Sequence, residues 1–168
     1  MSQSAMLNNL NGAEIDEVSG RQYLTFLLAQ EQYALDILRV QEIRGWEQVT
    51  RIPNSPAYVR GVINLRGTIV PVIDLRLRFG LDAQDYGKET VVIVVRAMLG
   101  NDAERSLGLV VDAVSDVMMA RDEDVVGTPE FGADVRTENI TGLVSLNGQM
   151  VMILDIPGLF EVGAESSG

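Results

Sequence analysis

One internal repeat constrains this chain more than any other feature of its sequence. GVINLRGTIVPVIDL (61–75) lies over GLVSLNGQMVMILDI (142–156) without a gap, and five of fifteen positions are identical: Gly61/Gly142, Leu65/Leu146, Gly67/Gly148, Val70/Val151 and Asp74/Asp155. Most of the other positions exchange one aliphatic residue for another. The offset of 81 residues is about half of the 168-residue chain, so the repeat implies two related units of about five strands each. Chance likeness between two apolar hairpins is the competing reading. In the second copy Asn147-Gly148 sits between two apolar runs, the strongest short-range signal for a two-residue type I′ hairpin turn. The first copy has Arg66-Gly67 there. Glycine supplies the positive φ in both, whereas asparagine tolerates the left-handed conformation better than arginine does. Turn chemistry does not ask for Arg66, which is therefore an interface candidate as well as a solvated hairpin tip. Pro71 cannot donate to a ladder, so its strand is expected at a sheet edge or at a bulge, and the units should differ there because the other copy has Met152.

The rest of the chain repeats this idiom of short apolar runs. Strand signals fall at 23–29, 33–37, 61–65, 68–75, 90–95, 107–114 and 149–156, rich in β-branched and aromatic residues. Loops rich in Gly, Asp, Asn and Pro separate them, such as FGLDAQDYGKE (79–89) and GTPEFGADVRTEN (127–139). No long segment holds a helical period; SPAYVRGV (55–62) reads as a helical turn or two and IPGLFEV (156–162) as a short terminal helix. The fold class is all-β. Residues 1–20 and 163–168 read as loose tails, with the boundary between the two units near 79–89.

Chemistry is conspicuous by what the chain lacks. There is no histidine and no cysteine, which removes the usual proton-transfer side chain, thiolate metal sites, disulfides and every Ser-His-Asp or Cys-His arrangement. The lone lysine, Lys88, sits beside Glu89 in a polar loop and reads as a solvated charge rather than a Schiff-base amine. No phosphate-cradling glycine motif is present. Asp122, Glu123 and Asp124 lack the spacing of a calcium loop and read as a solvated turn. No apolar run reaches the roughly 20 residues that span a bilayer, and no signal peptide is expected. The net charge of −11 disfavours nucleic acid. That charge is uneven, because Arg39, Arg44, Arg51, Arg60, Arg66, Arg76 and Arg78 face only Glu42, Glu47 and Asp74, making 39–78 a +4 segment and leaving −15 elsewhere. Arginine pairs with carboxylates as a bidentate fork and is enriched at interfaces; a solvated basic face is the plainer alternative. Binding without catalysis or cofactor is the expectation.

The strings themselves resemble one family. YALDILRVQEIRGWEQVTRIPNSPAYVRGVINLRGTIVPVIDLR (33–76), LGLVVDAVSDV (107–117) and ITGLVSLNG (140–148) are similar to the CheW coupling proteins of bacterial chemotaxis, over about Gln22 to Phe160. The resemblance implies two five-stranded SH3-like barrels about a pseudo-twofold axis, and a cytoplasmic, non-catalytic adaptor with no cofactor. The implied partners are the cytoplasmic tip of a chemoreceptor and the regulatory domain of the histidine kinase CheA, with membrane arrays reached through partners only. Carried onto this chain, the receptor groove would be lined by Leu24, Ile37, Val40, Ile43 and Val114, with ordinary core as the rival reading. Positions 37, 40 and 43 do not share one face of a regular strand, so the stretch must bend or coil if they converge. The resemblance further implies a Glu42–Arg66 ion pair bracing the binding surface, and Arg60 and Arg66 near the kinase contact. A coupling protein of another receptor pathway, a CheV-like coupling half, or a barrel enzyme working with carboxylates alone are the alternatives.

Overall fold

Continuous apolar runs such as VVIVV (91–95) leave no polar face to turn toward water, so both faces of such a strand must be covered. The computed structural model, which describes residues 20–98, 103–127 and 139–160, shows how this is done. In chain order the elements are β1 Gly20–Leu28, β2 Glu31–Asp36, a 3-10 turn Ile37–Arg39, β3 Val40–Gly45, β4 Val59–Leu65, β5 Thr68–Asp74, α1 Leu75–Arg78, β6 Val91–Met98, β7 Glu104–Val111, β8 Ala113–Arg121, a 3-10 turn Asp122–Asp124, β9 Ile140–Leu146 and β10 Gln149–Leu154. They form two five-stranded sheets, ordered β8-β1-β2-β10-β9 and β3-β6-β7-β5-β4.

Each sheet has a small apolar core on one face and shares a large one on the other. Val70, Val72, Val92, Val94 and Val110 fill the core of the β3–β7 unit. Tyr23, Ala34, Val144, Val151 and Ile153 fill that of the other unit. The alternate residues of the same strands, Leu24, Leu35, Ile73, Ile93, Leu109 and Leu154, meet in the shared core. The period of two thus survives inside an unbroken apolar run, because both directions lead to a core. Phe26, Leu28, Leu35, Leu75 and Leu109 are completely buried, each contributing about 1.5–3 kcal/mol of apolar burial.

The two sheet orders match strand for strand, β8 with β3, β1 with β6, β2 with β7, β10 with β5 and β9 with β4. The expected all-β pair of related units is therefore present, and each repeat identity has a reason. Gly61 and Gly142 lie under crossing carbonyls, those of Thr50 and Val126, where short bridges Thr50↔Val62 and Val126↔Leu143 close each unit. Arg66-Gly67 and Asn147-Gly148 all have positive φ, as a type I′ turn requires. Leu65, Leu146, Val70 and Val151 are core. Asp74 accepts from the backbone N–H of Arg76 and caps α1, and Asp155 accepts from the N–H of Gly158 in the helical turn over 156–160.

Several expectations need correcting. The run 107–114 is two strands, because the chain leaves one sheet at Val111 and enters the other at Ala113. Residues 79–89 join β5 and β6 within one sheet, so the chain changes sheet instead at 36–40 and at 111–113. Residues 55–62 form one hydrogen-bonded turn, with the Val59 N–H donating to the Pro56 carbonyl at 3.0 Å, and β4 begins at Val59. Pro71 lies on β5, an interior strand, with a bulge in the partner β4 between Val59 and Gly61. It is tolerated because the parallel ladder to β7 starts one residue later, at Val72. Met152 does pair with Tyr33 in the other sheet, so the units differ at this position. Of the expected tails, 1–20 and 163–168, only Gly20 is described, as the first residue of β1; residues 161 and 162 of the expected terminal helix and residues 128–138 of the long loop also lie outside the described residues.

Candidate functional site: two apolar edges and an arginine-bearing face

The stretch 37–43 converges by the two distortions that its spacing demands. The Asp36 carboxylate accepts from the N–H of Leu38 and caps the 3-10 turn Ile37–Arg39. On β3, Val40 pairs with Val95 and Ile43 with Ile93, with a bulge between Val40 and Glu42. Val95 and Ile93 both point into the shared core, so the extra residue, Gln41, puts Val40 and Ile43 on one face. Ile37 and Val40 pack on the margin of that core, while Ile43 is 44% exposed. The edge strand of the other sheet does the same: Val114 pairs with Phe26, Val117 with Leu24, and a shift at Thr25/Phe26 absorbs Ser115. Val114 packs on the core margin and Val117 is 44% exposed. Even the bracing hydrogen bond is repeated with its partners exchanged, Ser106 Oγ to Gln41 Oε1 at 2.9 Å and Gln32 Nε2 to Ser115 Oγ at 3.5 Å.

Leu24 does not belong among surface residues. It is 2% exposed and sealed in the shared core, where it backs Val117 across the ladder. Val117, in turn, escapes notice in a reading of single strings. The signal for it is the likeness of VQEI (40–43) to VSDV (114–117), which lies outside the longer repeat.

Glu42 and Arg66 form an ion pair, Nη2 to Oε1 at 2.8 Å, at the tip of the β4–β5 hairpin. Arg44 is bound to Glu47 at 2.7 Å and reaches the other oxygen of Glu42 at 3.5 Å. These exposed contacts contribute about 0–1 kcal/mol each, so they orient more than they stabilise. In the other unit the equivalent Asp116 and Asn147 line one small cavity with no basic group. Arg60 is not beside Arg66: the two lie at opposite ends of β4, about 20 Å apart at the rise of an extended strand. Its guanidinium sits 5.7 Å from the ring centre of Tyr86, and Trp46 meets the same ring edge-on at 4.4 Å.

Close to Arg60 lies a partly buried polar network built on one buried carboxylate. Asp74, 3% exposed, accepts from the Tyr86 hydroxyl at 2.5 Å. Burial foremost, then this hydrogen bond and the carboxylate charge, push the Tyr86 phenol above its ordinary value, so it remains a donor. Arg76 clamps Asp112 in a bidentate pair, Nε to Oδ1 at 2.8 Å and Nη2 to Oδ2 at 2.6 Å. Burial works to raise the Asp112 carboxyl, but Arg76 and the Ala29 N–H together hold it below its ordinary value. Asp74, Arg76, Tyr86 and Asp112 line a cavity of about 480 Å³. Among the described residues no three His, Cys, Asp or Glu side chains converge as a metal site.

The CheW-like domain family model matches residues 22–163. The chain belongs to the CheW-like domain family. It is 47% identical over 143 residues to a chemotaxis protein CheW of Klebsiella aerogenes, covering 85% of this chain and 83% of that one. A chemotaxis protein CheW of Rhizobium meliloti is 35% identical, with 84% and 88% covered. The crystal structure of the scaffolding protein TtCheW from Thermoanaerobacter tengcongensis superposes with a TM-score of 0.77 at 34% identity, covering 87% of this chain and 96% of that chain. The two sheets and their shared core are thus a CheW-like architecture.

Proposed function

We propose that this chain is a non-catalytic chemotaxis adaptor that couples chemoreceptors to the histidine kinase CheA. The observation that carries the reading is the family match across residues 22–163, which spans both units and both crossovers between them. Relatives named chemotaxis protein CheW and a solved relative named a scaffolding protein support it.

In this reading Ile37, Val40, Ile43 and Val114 receive the amphipathic helices of a receptor tip, with Leu24 acting from behind as packing. An apolar margin with partly exposed aliphatics suits such a partner. Arg60 and Arg66 serve the kinase regulatory domain. Their separation fits a contact running along β4, because a standard interface covers about 800 Å² per partner. The Glu42–Arg66 pair fixes the hairpin tip and selects among partners by charge. The adaptor works in the cytoplasm and reaches the membrane array through its partners; among the described residues no helix is long and apolar enough to cross a bilayer.

The test is a reconstituted kinase assay with receptor fragments. Arg66→Glu replaces attraction by repulsion at Glu42 and at an acidic partner, and receptor-dependent activation should fall about tenfold or more, as a loss of roughly 1.4 kcal/mol implies. The circular dichroism spectrum should be unchanged. Wild-type activation by Arg66→Glu would remove Arg66 from the kinase surface, and failure of the unaltered protein to bind either partner would end the adaptor reading.

A further inference from the structure

We infer that a polar relay, Tyr86–Asp74–Arg76–Asp112, connects the face bearing Arg60 to the β8 edge bearing Val114, so that occupation of one surface alters the other. The surfaces themselves rest on the function proposed above; the relay rests on geometry. Its outer end is the Tyr86 ring, which meets both the Arg60 guanidinium and, in a T-shaped contact, the Trp46 ring. Tyr86 donates to Oδ2 of Asp74, whose Oδ1 accepts the N–H groups of Arg76 at 2.9 Å and Leu77 at 3.4 Å. One buried carboxylate therefore ties the phenol to the first turn of α1. Because α1 is only four residues long, a tilt at its cap is passed to the Arg76 side chain, which grips Asp112 through both oxygens.

Asp112 is the single residue between β7 and β8, the point where the chain changes sheet. Its N–H donates to the Leu27 carbonyl at 3.1 Å, and its Oδ2 accepts from the Ala29 N–H at 2.9 Å. It is thereby fastened to the β1–β2 turn of the other unit. Two residues on, Val114 pairs with Phe26. Asp74 is buried and the other three groups are partly shielded; hydrogen-bonded groups so placed polarise one another, and contiguous contacts of this kind can carry coupling between separated surfaces.

The second unit supplies an internal control. Asp155 keeps the cap, but the position equivalent to Arg76 is Pro157, and the position equivalent to Asp112 is Leu38, which is 77% exposed. The same fold is built without the relay there, so folding alone does not call for it.

Amide spectra of the full ¹⁵N-labelled chain test this without partners. Tyr86→Phe removes one hydroxyl and should shift the amides of Arg76, Ala29, Asp112 and Val114; with Arg76→Ala already in place, the shifts should end at α1. Should Arg76→Ala fail to fold, Arg76→Lys keeps the charge while breaking the fork. Unmoved Ala29, Asp112 and Val114 amides, or equal shifts in both backgrounds, overturn the relay. With partners, the affinity for a receptor fragment should differ about fivefold or more with and without the kinase regulatory domain, a ratio that Tyr86→Phe brings to about one. Binding of both fragments with the wild-type ratio retained by Tyr86→Phe overturns the coupling role. A chain that transmits the amide shifts but binds neither fragment keeps the relay and loses the adaptor reading.

Discussion

The two halves of this molecule share their skeleton and differ in their chemistry. Both close a hairpin over a crossing carbonyl with a glycine, both turn on a residue-glycine pair at positive φ, and both cap a short helical segment with aspartate. Where they part, the β3–β7 unit has Arg66, Pro71, Arg76 and the Asp112 clamp, and the other has Asn147, Met152, Pro157 and Leu38. Shared residues answer to backbone geometry. Apart from Pro71, the residues peculiar to the first unit carry charge toward a surface or across the junction, which is where a duplicated scaffold can acquire distinct partners.

The skeleton is the place to break this comparison with the largest effect. A Cβ on Gly61 would overlap the Thr50 carbonyl at a φ of +148°, whereas a Cβ on Gly142 would lie 2.7 Å from the Val126 carbonyl oxygen with no unfavourable φ. Gly61→Ala should therefore cost more than about 3 kcal/mol, and Gly142→Ala less, on denaturant unfolding. A reversed order would show that the closer approach and the positive φ at Gly61 do not set the cost. Next comes the junction. Asp112→Ala removes a partly buried pair and leaves Arg76 and the Ala29 N–H without their acceptor, a loss of about 1–3 kcal/mol. The equivalent Leu38→Ala should change stability by less than about 0.5 kcal/mol, being exposed. The pH dependence follows the same carboxyl. Its folded pKa is depressed below 3.8, so its contribution is full above that value and disappears as pH falls through the lower folded value. Acid titration of unfolding free energy should flatten in that window for Asp112→Ala, and an unchanged slope would remove the clamp as its source.

The fold was legible in the sequence because the repeat, the turn residues and the apolar runs all reported local geometry. The hairpin turns at 66–67 and 147–148 and the glycines at 61 and 142 stand where the pattern requires them. The strands β3 and β8 were harder, since VQEI and VSDV each carry a bulge that breaks the period of two. The 107–114 run hid a change of sheet because Asp112 interrupts it without altering its apolar look. The site was legible by type more than by membership. The need for 37, 40 and 43 to bend follows from their spacing alone, while the burial of Leu24 depends on the facing sheet, which no local string encodes. The Tyr86–Asp74 contact joins a loop to a strand end twelve residues away, and in the sequence Asp74 stands only as a repeat identity at the end of an apolar run.

The smallest stability effect should come from exchanging the turn residues themselves. Arg66 holds φ at 51° and Asn147 at 52°, so the two turns impose the same left-handed backbone on residues of unequal tolerance. Asparagine is the easier occupant, because its short side chain visits this region with little steric cost. Arg66→Asn relieves that strain but breaks the 2.8 Å pair with Glu42, which is exposed and worth about 0–1 kcal/mol. The two terms oppose each other, and the unfolding free energy should change by less than about 0.5 kcal/mol. If Arg66 is kept for partners, Arg66→Asn should weaken kinase binding while Asn147→Arg leaves it unchanged, since Asp116 lies in a unit whose face lacks Arg60. A large stability change with unaltered binding would instead assign the arginine to the hairpin, and the difference between the two turns would be one of folding rather than of recognition.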